Sequence, residues 1–234
     1  MAAIYKRELR AFFSSPIGYV FIAVILFFEG YFFYNSLFYQ TTEAIVLVFS
    51  SLLTFGMMMI PVLTMKLMSE DKKQKTDQAL LTAPVSLAGI VVGKFLAAFT
   101  VYGIAICFTL VQGFVMSFFG PLNWGIVFGN VIGTLLYGAA TIAIGLFISG
   151  LTDSQMIAAI GGFGASILLI LIDQVKYMAS NEIVTKIVDW ISFSDRYSAF
   201  TNGVFNFANV IFFLSVVGIF LFLSVSTLEK RRWS

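Results

Sequence analysis

Six runs of roughly 20 mostly apolar residues follow one another along this chain, and that is the length an α-helix needs to cross the hydrocarbon core of a bilayer. They fall at 17–38, 44–65, 87–118, 124–149, 155–171 and 204–227, the third long and the fifth short. Composition points the same way. Of 234 residues 59% are hydrophobic and 11% charged, and a soluble domain of this length carries about twice that share of charge. The 19 glycines agree, because glycine is better tolerated in lipid-embedded helices than in soluble ones. The expected fold is therefore an all-α membrane protein: one transmembrane domain, 1–234, of six transmembrane helices.

With a net charge of only +2, what informs is where the charges lie. Of the 14 Lys and Arg, eleven (Lys6, Arg7, Arg10, Lys66, Lys72, Lys73, Lys75, Lys94, Lys230, Arg231 and Arg232) share a side with the termini, and three (Lys176, Lys186 and Arg196) lie opposite. The excess of cations marks the cytoplasmic face, so both termini are expected there. Lys6, Arg7 and Arg10 precede the first apolar run as in a signal peptide, but the run is too long and no small-residue cleavage site follows it. It reads as a retained helix.

Histidine is absent, which removes HExxH metal sites, Ser-His nucleophiles and imidazole relays together. The single Cys107 lies in an apolar run, where a buried thiol acts as a small hydrophobe. No catalytic residue, metal site or bound cofactor is expected, and no basic patch points to nucleic acid. Any chemistry belongs to another chain.

Two segments are amphipathic but too short to span. In 1–15, Tyr5, Leu9, Phe12 and Phe13 share an arc beside Lys6, Arg7 and Arg10, which describes an interfacial helix on the inner leaflet. In 181–191, within the external segment 172–203, Ile183, Val184, Ile187, Val188, Trp190 and Ile191 oppose Glu182, Thr185, Lys186 and Asp189, behind a capping Ser180. Between the second and third spans lies 66–86, KLMSEDKKQKTDQALLTAPVS, longer than a turn requires. A short amphipathic helix ending before Pro84 and a solvated linker are both compatible with its composition.

The order Glu70-Asp71-Lys72-Lys73, Thr76, Leu80-Leu81-Thr82-Ala83-Pro84-Val85-Ser86 and Gly93-Lys94-Phe95 resembles the signature of ABC-2 type permeases. The opening Lys6-Arg7-Glu8-Leu9-Arg10-Ala11-Phe12-Phe13-Ser14-Ser15-Pro16-Ile17-Gly18-Tyr19-Val20 resembles the gliding-motility-type branch of that family, as do 145–155 and Glu229-Lys230-Arg231-Arg232-Trp233. The likeness implies the permease subunit of an ATP-driven transporter in a bacterial inner membrane. Such a subunit pairs with a second permease chain, identical or related, and docks a separate ABC ATPase subunit that holds the ATP and Mg. An accessory extracytoplasmic protein and membrane lipids complete the implied partners. The chain has no GxxxxGK[ST] of its own. The resemblance places an ATPase-docking coupling helix at 70–81, with Glu70, Asp71, Lys72, Lys73, Lys75, Thr76, Asp77, Leu80 and Leu81 as its candidate contacts. It also makes 1–15 the connecting helix and 181–191 the external helix. Where members commonly have Gly before the loop Thr and Glu two residues after it, this chain has Lys75 and Gln78.

Within the spans, Glu29 is an ionisable group at a depth where such groups are costly and functional by default. Together with Gln112 it has a substrate-path or gating reading; the structural one leaves it neutral, or hydrogen-bonded to a group such as Gln112. Gly125, Gly129 and Gly133 form a small-xxx-small face suited to helix packing; Gly161, Gly162 and Gly164 allow the same. The aromatics from Phe27 to Tyr39 read as an interface belt, or as the lining of an apolar cleft between two permease chains. A second functional reading is a non-transporting module whose motion drives an extracytoplasmic partner in mechanotransmission or assembly. A third, secondary transport, is weakened because no repeat is visible.

Overall fold

In hydrocarbon no water can satisfy a backbone N–H or C=O, so an apolar run saturates its own hydrogen bonds by coiling. The computed structural model describes residues 1–37, 44–76, 85–118, 122–178, 188–201, 203 and 205–233, and these are helical almost throughout, with no strand among them. In chain order the helices are α1 (Ala2–Ser14), α2 (Pro16–Leu37), α3 (Ala44–Thr64), α4 (Lys66–Lys73), α5 (Leu87–Cys107), α6 (Thr109–Ser117), α7 (Trp124–Leu151), α8 (Gln155–Met178), α9 (Phe193–Thr201) and α10 (Phe207–Trp233). Six continuous stretches are long and apolar enough to cross a membrane: Pro16–Asn35, Val46–Lys73, Leu87–Ser117, Trp124–Leu151, Gln155–Ile172 and Phe207–Arg231. Each coincides with one of the six apolar runs.

The bundle departs from a simple reading of hydropathy at four places. First, α3 does not stop where the charges begin. Met65 keeps right-handed helical angles, so α4 prolongs the second span, because hydropathy reports solvent whereas Lys, Leu, Met and Glu are all good helix formers. Second, the long third run breaks at Phe108. There the Phe108 N–H turns to Ala105 O, and the Thr109 hydroxyl donates to Ile106 O at 2.6 Å. The ladder is offset there by one bond, from i−4 to i−3, while Phe108 keeps right-handed angles and α5 and α6 together remain one membrane-length stretch without any proline. Cys107 at this offset is exposed, correcting the expectation of a buried thiol. Third, the fifth span is short, Gln155–Ile172, but its helix runs on past it to Met178. Fourth, the segment before the last span folds a further helix, α9, capped by the Ser192 hydroxyl, which accepts from Asp195 N–H at 3.0 Å. Of the external amphipathic segment, 188–191 is helical, with Val188 buried and Trp190 and Ile191 exposed. The rest of that segment lies outside the described residues.

The helices are delimited by local chemistry. Ser86 and Asn123 accept from the N–H groups of Gly89 and Gly125, opening α5 and α7. Between α7 and α8 the Ser154 N–H donates to Thr152 Oγ1 at 3.2 Å, and Ser154 O accepts the Ala158 N–H, so the two helices reverse in three residues.

α5 and α7 form the centre, flanked by α3, while α2, α8 and α10 lie outside with largely exposed apolar faces such as Phe27, Ile160 and Phe222. Without a hydrophobic drive between helices in lipid, contact is gained by close approach. Tyr102 of α5 lies across Gly138 of α7 and donates to Thr134 O at 3.0 Å. Thr64 fills the space over Gly145, and the ring of Pro61 faces Gly162. The aromatics of the first span divide: Phe28 stacks on Phe55 of α3 and Phe32 meets the same ring at a tilt, with centroids 4.7 and 5.3 Å away, whereas Phe27, Tyr31 and Tyr34 are exposed.

Candidate functional site

The end of the bundle that carries the termini gathers a charged junction from four segments. α1 lies against α5, with Ile4 seated on Gly93 so closely that a Cβ there would stand 3.3 Å from that of Ile4. This brings Glu8 and Arg7 over the start of α5, where Lys94 is only 2% exposed. The Lys94 ammonium meets Glu8 Oε1 at 3.1 Å and also contacts Asp71 Oδ2 and the Leu67 carbonyl of α4. Arg7 closes the ring, with Nη2 3.2 Å from Asp71 and a second contact to Glu8. A buried ammonium is costly unless oxygens surround it. Here they come from α1 and α4, so the lysine ties three helices.

A second tie joins α4 to the end of α7. The Ser149 hydroxyl donates to Met65 O at 2.9 Å and accepts from the N–H groups of Met68 and Ser69, both at 3.1 Å. One turn on, the buried Lys72 ammonium donates to Gly150 O. Lys66 reaches the other way, to Ser15 Oγ at 3.0 Å and over the Phe12 ring at 4.8 Å. α10 joins through Arg231, 3.2 Å from Asp153. Among the described residues, α1, α5 and α7 are thus bonded to α4, and α10 is bonded to the turn that follows α7.

α4 ends in an exposed turn. Gln74 N–H bonds Glu70 O, Lys75 N–H bonds Lys72 O, and Lys75 takes φ 57°. That left-handed conformation suits glycine and costs other residues about 1–2 kcal/mol, so Lys75 stands where the resembling family places glycine. Thr76 folds back, its hydroxyl 2.8 Å from Asp71 Oδ1.

The candidate docking residues thus divide. Asp71 and Lys72 turn inward, Glu70 is half-buried, and Lys73, Lys75 and Thr76 are exposed. Asp77, Leu80 and Leu81 lie outside the described residues. Glu70, Asp71, Lys72 and Lys73 lie in α4, which prolongs the second span through Met65; the remainder of the expected coupling helix, from residue 77, lies outside the described residues. Sequence reasoning overlooked Lys94 as the hub and Ser149 as the clasp. The lysine could have been noticed, because a cation seven residues into an apolar helix needs partners.

Glu29 is fully buried among the apolar residues of α2 and its neighbours, and among the described residues neither carboxyl oxygen has a hydrogen-bond partner. Gln112 Oε1 is likewise buried without one, so the two are not bonded to each other. Gly129 and Gly133 do serve close packing, but against Phe200 and Tyr197 of α9 and not against another span; Gly125 meets only its own cap Asn123. Around Gly133, Tyr197 donates to Asn130 Oδ1 at 3.2 Å and lies 3.1 Å from the Thr134 hydroxyl. Burial pushes the Tyr197 phenol up to about 12, against the lowering effect of its Thr134 hydrogen bond.

The family model described as ABC-2 family transporter protein matches residues 2–233. No curated protein matches the chain.

Proposed function

The chain belongs to the ABC-2 family of transporter membrane proteins, and from that premise we propose that it is a permease subunit driven by ATP hydrolysis on a separate ATPase subunit. Members of this family work as membrane components beside such an ATPase, and six membrane-crossing helices with a charged face at the termini suit that role. The carrying observation is the membrane-length helical path from Val46 to Lys73, which passes through the single turn residue Met65, where the Ser149 hydroxyl bonds into the ladder. Its outer turns are packed on the bundle and its inner end emerges as the exposed turn 73–76, clamped on both sides by Lys94 and Ser149. A push on that turn moves the second span together with α1, α5 and α7, the rigid-body displacement that packed elements support.

On this reading the ATPase docks on Lys73, Lys75 and Thr76 and on the residues that follow, while Lys72 holds the turn to Gly150. The termini face the cytoplasm of a bacterial inner membrane, a second permease chain completes the pathway, and Glu29 serves substrate passage or gating. The opening motif supports the gliding-motility-type branch. The experiment is reconstitution with its partner ABC ATPase. Charge reversal K73E/K75E is expected to release the ATPase and abolish coupled hydrolysis while insertion stays intact. Undiminished copurification and coupling would refute this docking surface.

A further inference from the structure

One face of α5 is covered by α1 over only half of its length. Met1 and Ile4 sit over Gly89 and Gly93, and the Tyr5 hydroxyl reaches that of Thr100 at 3.1 Å. Ile104, Cys107 and Val111 follow Thr100 at intervals of three and four residues, so they prolong the same face into α6. Beyond Thr100 the face is bare. It becomes a groove of about 540 Å³, lined by Thr100, Gly103, Ile104, Cys107 and Val111 and, from α7, by Leu135. The groove runs along the third span and opens outward, since Ile104, Cys107 and Val111 are exposed. Its inner mouth is where Tyr5 meets Thr100.

Cations of α1 stand beside that mouth. Arg7 turns to Asp71 of α4, and Lys6 stands about 100° round the helix from Arg7, on the flank shared by Leu9 and Phe13. These two are half-buried, and the Phe13 ring meets the exposed Tyr19 of α2 edge-on at 5.5 Å. Arg10, four residues from Lys6 and so its neighbour on the helix surface, is exposed like it. Arg7, Lys66, Lys72 and Lys94 all turn to oxygens of the bundle, whereas among the described residues Lys6 and Arg10 have no such partner. Two cations one turn apart can share a single phosphate.

The position of α1 selects the occupant. α1 joins the first span through the single residue Ser15, which keeps its cations at the level where hydrocarbon begins. A free phosphate would use the cations and leave the groove empty, and a neutral lipid the reverse. A protein docking from the aqueous side would meet Arg10 and not the groove. A lipid with a negative headgroup satisfies both parts, because charge attraction and apolar burial add at such a helix. We propose that an anionic phospholipid is held here as a resident lipid, its phosphate on Lys6 and Arg10 and one acyl chain in the groove along α5 and α6. The same turn of α1 carries Arg7 and Glu8, so the bound lipid braces the seat of α1 on Lys94.

Lipid binding needs no ATPase, so this inference and the transport reading can fail separately. The full chain, delipidated in a non-ionic detergent, is titrated with dioleoyl phosphatidylglycerol or dioleoyl phosphatidylcholine, and native mass spectrometry reads the first lipid bound. The two share their acyl chains and differ in net charge. A cation beside an anionic headgroup is worth about fivefold in affinity, so phosphatidylglycerol should be preferred by about 25-fold. K6Q and R10Q should each cut that preference about fivefold, and K6Q/R10Q should abolish it while phosphatidylcholine binds as before. C107W, which fills the groove without touching a charge, should weaken both lipids and keep their ratio. Thermal unfolding checks that each variant is folded. Equal binding of the two lipids by the native chain would overturn the proposal. So would a preference that K230Q, which removes an exposed cation of α10, lowers as much as K6Q does. C107W changing the oligomeric state with lipid binding unchanged would give the groove to a second copy of the chain, and K6Q/R10Q releasing the ATPase with the preference intact would give the cations to a protein; either refutes the lipid site.

Discussion

Replacing Lys94 by Met keeps the length and apolar stem of the side chain and removes only its charge. The ammonium contacts Glu8, Asp71 and the Leu67 carbonyl, and it is almost wholly buried. Removing one member of a buried ion pair costs about 3–5 kcal/mol, mainly because the partner charge is stranded. Glu8 and Asp71 keep Arg7, and Asp71 keeps Thr76, so one surplus negative charge remains and the lower figure, about 3 kcal/mol, applies. Arg7→Met removes a cation whose side chain is 44% exposed, and such solvent-screened pairs contribute about 0.2–1 kcal/mol. Reversible unfolding in mixed micelles compares the two. K94M should be several times more damaging than R7M, and K94M/D71N should recover part of the loss through a coupling of about 1–3 kcal/mol. Equal effects of K94M and R7M, or strict additivity with D71N, would refute the hub.

Three further outcomes follow from single sites. Glu29→Leu replaces a buried carboxyl that has no hydrogen bond, so unfolding midpoints should hold or rise; retained transport by E29L would remove Glu29 from the substrate path or gate. Gly138→Ala places a methyl group into the Tyr102 ring, and overpacking of this kind costs about 1–3 kcal/mol, read as a lowered unfolding midpoint. Lys75→Gly relieves a left-handed conformation and should stabilise the end of α4 by up to about 1 kcal/mol, seen as slower amide exchange over Lys66–Lys73.

The spans were legible because apolar length is set by bilayer thickness, and that physics leaves a direct trace in composition. Their continuations were not. The charges from Lys66 onward mark where solvent begins, yet the helix persists to Lys73 because its backbone preferences do not change there. The one-bond shift of the ladder at Phe108 accompanies a single threonine hydroxyl bonded to Ile106 O. The small faces at Gly129 and Gly133 could be read as packing surfaces, but their partner, a nine-residue helix of mixed polarity, has too weak a period to announce itself. Lys94 was counted among the cations of the inner face. Only the fold shows that α1 and α4 bring oxygens to it.

Photo-crosslinking from residue 75 tests the account most directly. With benzoylphenylalanine in place of Lys75, on the exposed turn, or of Trp190, exposed beyond the other end of the second span, the complex with the partner ATPase is irradiated in nanodiscs. Crosslinking to the ATPase from position 75 and none from 190 is the predicted result. An ATPase that binds yet never crosslinks from 75 would contradict the claim that force enters through this turn.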